Sequence, residues 1–472
     1  MRDLDKLKKV PDDYEIALRA LTWLLYSTQP LRLSHLATAA AIDPDCVFSD
    51  DQRLDQNENI FDVCRSLILV HVETDVVDFY HFSVREFLQL PRLSDGSDNP
   101  YYCSVIKGNA LLLKACFMYL ASQPFVSPVS HLTHYSDILQ QLKAKFRDQF
   151  TFYAVYEWPN HAAKLESSGT TDSVKFLTGD SFSAWREVWE LSAIRDRRWW
   201  EGSEDRSTEV GLWSEAMVCD LRTRSRSTPG SALYYASALG LRSIADELLS
   251  KGHDPNEFGG PEAYPLFVAL RTGNLALAEW LLSKGANINI VDQRTKDTAL
   301  HCAIKKRDKE GVKFLLDRNA DHKAYNEREL PPLHLAMHMD GEGEVWYSEI
   351  IELLAQVDVN VKDRRGRTAV HFAAKVGCFL STSLLLQQGA DVHVTDDDGR
   401  TPLHAASLSG ASQIVDMLLN TQANIGITDA LGYTAMHMAV QAGHTEIVKK
   451  LFQMSGNPVD SFLQPVCTIW GD

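Results

Sequence analysis

The dipeptide Gly-Lys occurs nowhere in the 472 residues of this chain, so no Walker-type loop is available to cradle phosphates. A Gly-x-Ser-x-Gly elbow, a His-Glu-x-x-His helix, a calcium loop and a dinucleotide glycine fingerprint are missing as well. The sequence thus assigns no catalytic, cofactor-binding or metal-ligating residue, and the chain reads as a non-enzyme. Its eight cysteines include no Cys-x-x-Cys pair and no regular spacing. That is the pattern of free thiols in a reducing compartment, not of a disulfide framework or a zinc site. Positive charge is short: 47 Lys and Arg against 63 Asp and Glu leave a formal charge of −16. Such a balance opposes general affinity for nucleic acid backbones, so no direct nucleic acid binding is expected. Long apolar runs are missing too. The longest, around residues 110–126, is broken by Lys114, Ser122, Gln123 and Pro124, and the charged start Met1–Lys9 has no secretory core. These absences predict a chain without membrane spans, cytoplasmic, with nuclear entry open.

What the chain does have is a beat. Thr298-Ala-Leu-His301, Pro331-Pro-Leu-His334, Thr368-Ala-Val-His371, Thr401-Pro-Leu-His404 and Thr434-Ala-Met-His437 recur at offsets of 33, 37, 33 and 33 residues. Ser231-Ala-Leu-Tyr234 and Tyr264-Pro-Leu-Phe267 precede them in step. In the unit at Thr401, Asp396–Gly399 supplies a turn, Thr401 caps a helix and Pro402 sits in its first turn. Gly410 ends that helix, and Ile414, Val415, Leu418 and Leu419 mark a second. Arg307 stands where neighbouring units carry glycine. No single unit can bury its apolar face alone, whereas stacked units can. Residues 226–455 resemble ankyrin repeats, seven of them. In such repeats the tetrad histidine braces its own unit by hydrogen bonds, which is favoured here over a metal site.

On such a scaffold, recognition falls to the hairpin tips and the concave face of the first helices. By register, Tyr235, Val268, Cys302, Leu335, Phe372, Ala405 and Met438 face that groove or its edge, or else pack between neighbouring helices. Arg364, Arg365 and Arg367 on one tip oppose Asp396, Asp397 and Asp398 on the next; they pair, select a protein partner, or are simply solvated. The 37-residue interval carries four extra residues, placed at Asp340–Trp346, and makes Trp346 a further candidate for partner binding.

Residues 1–92 have another rhythm. Helices are predicted over 13–27, from a cap at Ser34, and over 59–66, followed by a hairpin of 67–73 and 76–81. Three helices and a two-stranded wing make a winged-helix-like domain, yet its candidate recognition segment, Asp55–Asp62, is acidic, opposite to what a DNA groove requires. Residues 93–225 read as a helical connector, with helices over 109–120 and 137–147, aromatic-rich stretches over 150–163 and 182–200, and a basic link at Arg222, Arg224 and Arg226. The tryptophans of 182–200 are expected to fasten the connector to the first repeat. Residues 456–472 form a tail whose apolar end, Val466–Trp470, either caps the last repeat or is an artefact of the gene model. The predicted class is mainly α: a repeat solenoid preceded by a winged-helix-like domain and a helical connector.

Ala20–Leu33, Asp62–Leu69, His81–Leu88, Phe152–His161 and Ser231–Gly240 resemble segments of fungal NACHT–ankyrin proteins. In that family a nucleotide switch precedes a winged helix and an ankyrin sensor. The resemblance implies a sensor or adaptor without its switch, and at His81 a structural role is favoured over contact with a bound nucleotide's phosphates. The primary expectation is a non-catalytic module that binds a protein partner. The alternatives are a coregulator that engages a transcription factor, and a fragment of a nucleotide-regulated ATPase.

Overall fold

The computed structural model describes residues 9–43, 60, 63–64, 66–93, 95–122, 149–165, 170–179, 182, 185–186, 230–260, 263–339 and 346–455. They fall into two compact units, one of Met1–Asp254 with Gly259–Pro261, the other of Pro255–Phe258 with Glu262–Asp472.

In the first unit, α1 (Pro11–Tyr26) opens on a proline, with Asp12 and Asp13 in its first turn, where carboxylates meet the positive end of the helix dipole. It starts two residues before the predicted 13. β1 (Leu31–Arg32) leads straight into α2 (Leu33–Ala41), so Arg32 occupies the cap position predicted for Ser34. β2 (Ile68–Val70) and β3 (Val76–Phe79) form the predicted hairpin in shortened form. β3 is central, paired antiparallel to β1 at Leu31↔Val77 and to β2 at Val70↔Val77. α3 (Phe82–Gln89) is capped by His81, whose Nδ1 accepts from the Ser83 amide. Most of the helix predicted over 59–66, and all of that over 137–147, lies outside the described residues.

α4 (Val105–Ser122) packs along α5 (Gln149–Lys164), and α6 (Thr170–Thr178) follows. Trp23 meets Phe150 and Tyr153 edge-on, each at 5.4 Å. Trp158, Phe117, Phe176 and Trp185 make a second aromatic cluster. The buried Glu157 carboxylate accepts from Thr28, Gln29 and Asn160, which ties α5 to the loop after α1. His161 bridges Asn109 and Tyr153, and burial holds its imidazole down to about 3. The first helical pair of the repeat region, α7 (Ala232–Ala238) and α8 (Arg242–Ser250), belongs to this unit. α6 packs on both helices, while Phe182 and Trp185 meet Tyr235 at 5.2 and 5.7 Å. Trp189, Trp199, Trp200 and the Arg222–Arg226 link lie outside the described residues.

The second unit is a stack of six helical pairs: α9 (Pro265–Arg271) with α10 (Leu275–Ser283), α11 (Ala299–Lys305) with α12 (Lys309–Leu316), and α13 (Pro332–Met339) with α14 (Trp346–Asp358). α15 (Ala369–Val376) pairs with α16 (Phe379–Gln387), α17 (Pro402–Ser409) with α18 (Ser412–Asn420), and α19 (Ala435–Ala442) with α20 (Thr445–Ser455). First helices stack on first helices and, from α12 onward, second on second, burying an apolar seam that includes Leu300, Ala336, Val370, Leu403 and Ala435. Gly377, Gly410 and Gly443 end their helices at φ 83, 79 and 78°. Arg307 takes the same left-handed geometry, φ 58°, without glycine's freedom. The inserted residues 340–345 and the tail 456–472 lie outside the described residues.

Candidate protein-binding cleft

Each finger between helical pairs is folded by its own first side chain. Asp363 Oδ1 accepts from the amides of Arg365 and Arg367, Asp396 from those of Asp398 and Arg400, and Asp429 from those of Leu431 and Tyr433. Short Asp and Asn side chains make such local turns readily. Neighbouring fingers are then joined backbone to backbone, by the Asp397 amide on the Arg365 carbonyl at 3.0 Å and the Ala430 amide on the Asp398 carbonyl at 2.8 Å.

The tetrad histidines lock the fingers to the helices. In the units at Thr298, Thr368 and Thr401 the imidazole Nδ1 accepts from the threonine amide and lies 2.9 Å from its hydroxyl. With Nδ1 accepting, Nε2 carries the proton and donates onward. His301 Nε2 reaches the Leu330 carbonyl at 3.1 Å, His371 that of Arg400 at 3.0 Å, and His404 that of Tyr433 at 3.1 Å. The bracing expected within one unit thus extends to the next. Burial pushes the imidazoles of His301, His371 and His404 below the usual range, and that of His334 down to about 4. Neutral imidazoles bonded at both nitrogens, as in His301, His371 and His404, are structural rivets, and among the described residues no group of His, Cys, Asp and Glu could hold a metal ion.

A cleft of about 540 Å³ opens between the fingers and the first helices α15, α17 and α19. Arg365, Arg367 and Asp396–Asp398 form its finger side; Phe372 and Lys375 of α15, Ala405 and Leu408 of α17, and Met438 of α19 form its helical floor. Arg367 makes a two-pronged pair with Asp363 at 2.6 and 2.9 Å and lays its guanidinium 4.4 Å over the Phe372 ring. Burial works against the Asp363 charge, but the bonds from Arg367 and two amides outweigh it and hold this carboxyl below the usual range. Ala405, half-buried and in register between Phe372 and Met438, puts only a methyl group on the floor.

The structure therefore brings Arg365, Arg367, Phe372, Asp397, Asp398 and Met438 into one place, together with Asp396 and Ala405. Arg364 stands outside it, paired with Glu329 at 3.0 Å and set over Tyr325. Side-chain pairing between the opposed Arg and Asp tips does not occur among the described residues: Arg367 turns to Asp363, and Arg400 lies 3.7 Å from Asp398 and 3.6 Å from Asp429. Tyr235, Val268 and Leu335 are buried, at 0, 0 and 1% exposure, and pack between helices instead of facing a groove. For Tyr235 the cause is the aromatic enclosure by Phe182, Trp185 and Tyr234. The Cys302 thiol, enclosed, is pushed up to about 12, far from a reactive thiolate. Trp346 opens α14, and its side chain lies outside the described residues. Lys375 and Leu408 were not singled out in the sequence. Their signal was available: they sit three residues, one helical turn, beyond Phe372 and Ala405.

Among the described residues no helix is long and apolar enough to cross a membrane. A family model described as ankyrin repeats matches three times, over residues 232–326, 343–429 and 380–461. The interruption falls on the unit of Pro331 and its insertion. The chain is 25% identical over 314 residues to azaphilone pigments biosynthesis cluster protein L of Monascus ruber, covering 61% of this chain and 60% of that protein. It is 29% identical over 199 residues to human transient receptor potential cation channel subfamily A member 1, covering 41% of this chain and 16% of that protein. To dog inversin it is 31% identical over 110 residues, 23% of this chain and 10% of that protein. The chain thus spans about three-fifths of the first of these relatives and about a sixth of the second. Residues 232–326 and 343–461 carry ankyrin repeats, a protein–protein interaction module.

Proposed function

We propose that this chain is a non-catalytic, intracellular sensor or adaptor that holds a protein partner in the cleft of α15, α17 and α19. One observation carries the reading: two finger tips of opposite sign and an apolar helical floor line one cleft. Partner surfaces of this composition, apolar at the centre with charge at the rim, are typical of protein recognition. The residues that line the cleft take part in no acid–base or nucleophilic grouping; the histidines there are committed to backbone and threonine. The region before the repeats reads as a winged-helix-like domain (residues 1–92) and a helical connector (93–225) in service of the array. The order helix, short strand, helix, hairpin in α1–β3 supports the first part, and the aromatic packing of α4–α6 the second.

The test is a comparison of proteins cross-linked to the full chain and to Phe372→Ala in the cells that make it. Proteins lost from the variant while its melting temperature stays close to the parent's support the reading. An unchanged set of cross-linked proteins removes it. Tyr235 is unsuited to this test, because its truncation would open a buried aromatic cluster.

A further inference from the structure

The charges around the cleft are not equivalent. Asp396 is occupied by the amides of its own finger, Arg367 by Asp363, and Arg400 by Asp398 and Asp429. Arg365 and Asp397 lie on adjacent tips joined by a backbone hydrogen bond and put one charge of each sign on the finger side. Lys375 remains. It is exposed, lines the cleft beside Phe372 and Leu408, and has no ion-pair partner among the described residues. The floor beside it is apolar: Phe372 and Ala405 are half-buried, Met438 is buried, and Leu408 is 45% exposed. An ammonium next to an apolar floor is complementary to a carboxylate next to an apolar side chain.

We infer that the cleft takes a protein segment that presents an aliphatic or aromatic side chain to the floor at Ala405 and an acidic residue to Lys375. This rests on the reading of the cleft as the partner-binding surface and specifies the partner's chemistry. Phe372 and Met438 line the cleft with Ala405, Leu408 extends the apolar floor, and the Arg367 guanidinium stacked on Phe372 keeps that ring in place. The finger tips, which carry both signs of charge, then act as a rim that excludes water from the seated segment.

Random peptides displayed on phage and selected against the full chain test this, with Ala405→Trp, Phe372→Ala and Lys375→Glu as comparison proteins. Ala405→Trp puts an indole on the floor where the segment would sit, and Phe372→Ala removes the main apolar side chain beside it should the tryptophan disturb folding. Lys375 is solvent-exposed, so its reversal leaves the packing intact. The expected sequences pair Leu, Met, Ile or Phe with nearby Asp or Glu. They bind Phe372→Ala or Ala405→Trp at least about tenfold more weakly, a loss of about 1.4 kcal/mol. Selection on Lys375→Glu should replace the acidic residue by Lys or Arg. Basic sequences recovered on the parent that still depend on Phe372 would overturn the acidic specification and leave the protein-binding cleft standing. Recovery of no sequence that depends on Phe372 or Ala405 would overturn both.

Discussion

Pro331 shows how one side chain sets the quality of a whole unit. At the other histidine tetrads a threonine gives both an amide proton and a hydroxyl to the imidazole, but proline has neither, and Nδ1 of His334 is buried without a hydrogen-bond partner. His334 still holds the next unit through Nε2 on the Arg367 carbonyl at 2.7 Å, so the cost is confined to one ring nitrogen. Pro331→Thr recreates the Thr401-Pro402-Leu403-His404 arrangement. A threonine cap contributes about 0.5–2 kcal/mol, offset in part by the entropy that proline removes from the unfolded chain. The expected outcome is a net gain of roughly 0.5–1 kcal/mol in urea unfolding, and equal or lower stability would contradict the account of the orphaned nitrogen.

At the scale of the element, the histidine, its threonine and the following carbonyl form one joint repeated along the stack. The imidazoles of His301, His334, His371 and His404 are held neutral by burial, so the unfolded chain takes up protons near pH 6.5 while the folded one resists. Their contribution is complete above about pH 6.5 and is lost as pH falls through the folded values, to about 4 for His334. For His334 alone this amounts to roughly 3 kcal/mol. Denaturant midpoints should therefore fall between pH 6.5 and 4, ahead of carboxylate titration, and a flat profile over that range would contradict neutral rivets. Much of this was legible from sequence, because a capped helix with histidine at its third position recurs at a fixed interval. The cross-unit half of each histidine's bonding was not, since the acceptor is a backbone carbonyl 29 to 33 residues away, whatever side chain it carries. Pattern likewise located Phe372, Ala405 and Met438 but did not separate them from Tyr235, Val268 and Leu335. All six share a register, and whether a position lines a cleft or is sealed between helices depends on what packs above it.

For the whole molecule, the division of the chain cuts across its repeat pattern. The first helical pair shares a core with the connector: Trp158, Phe176, Trp185 and Tyr235 are in continuous ring contact from α5 to α7. Fully burying an indole and then removing it costs about 3–5 kcal/mol. Trp185→Ala should therefore lower the unfolding temperature of the first unit and leave that of Glu262–Asp472 nearly unchanged, read as two separated transitions by calorimetry. Equal loss in both would contradict the division. Binding through the second unit, the central claim, is tested most directly by a photo-cross-linking residue placed in the full chain. Position 408 lies in the cleft and position 313 on an exposed turn of α12 outside it. In the cells that make the protein, illumination is predicted to give a discrete protein adduct from position 408 and none from 313. Equal labelling at both positions, or an adduct from 313 alone, would contradict it.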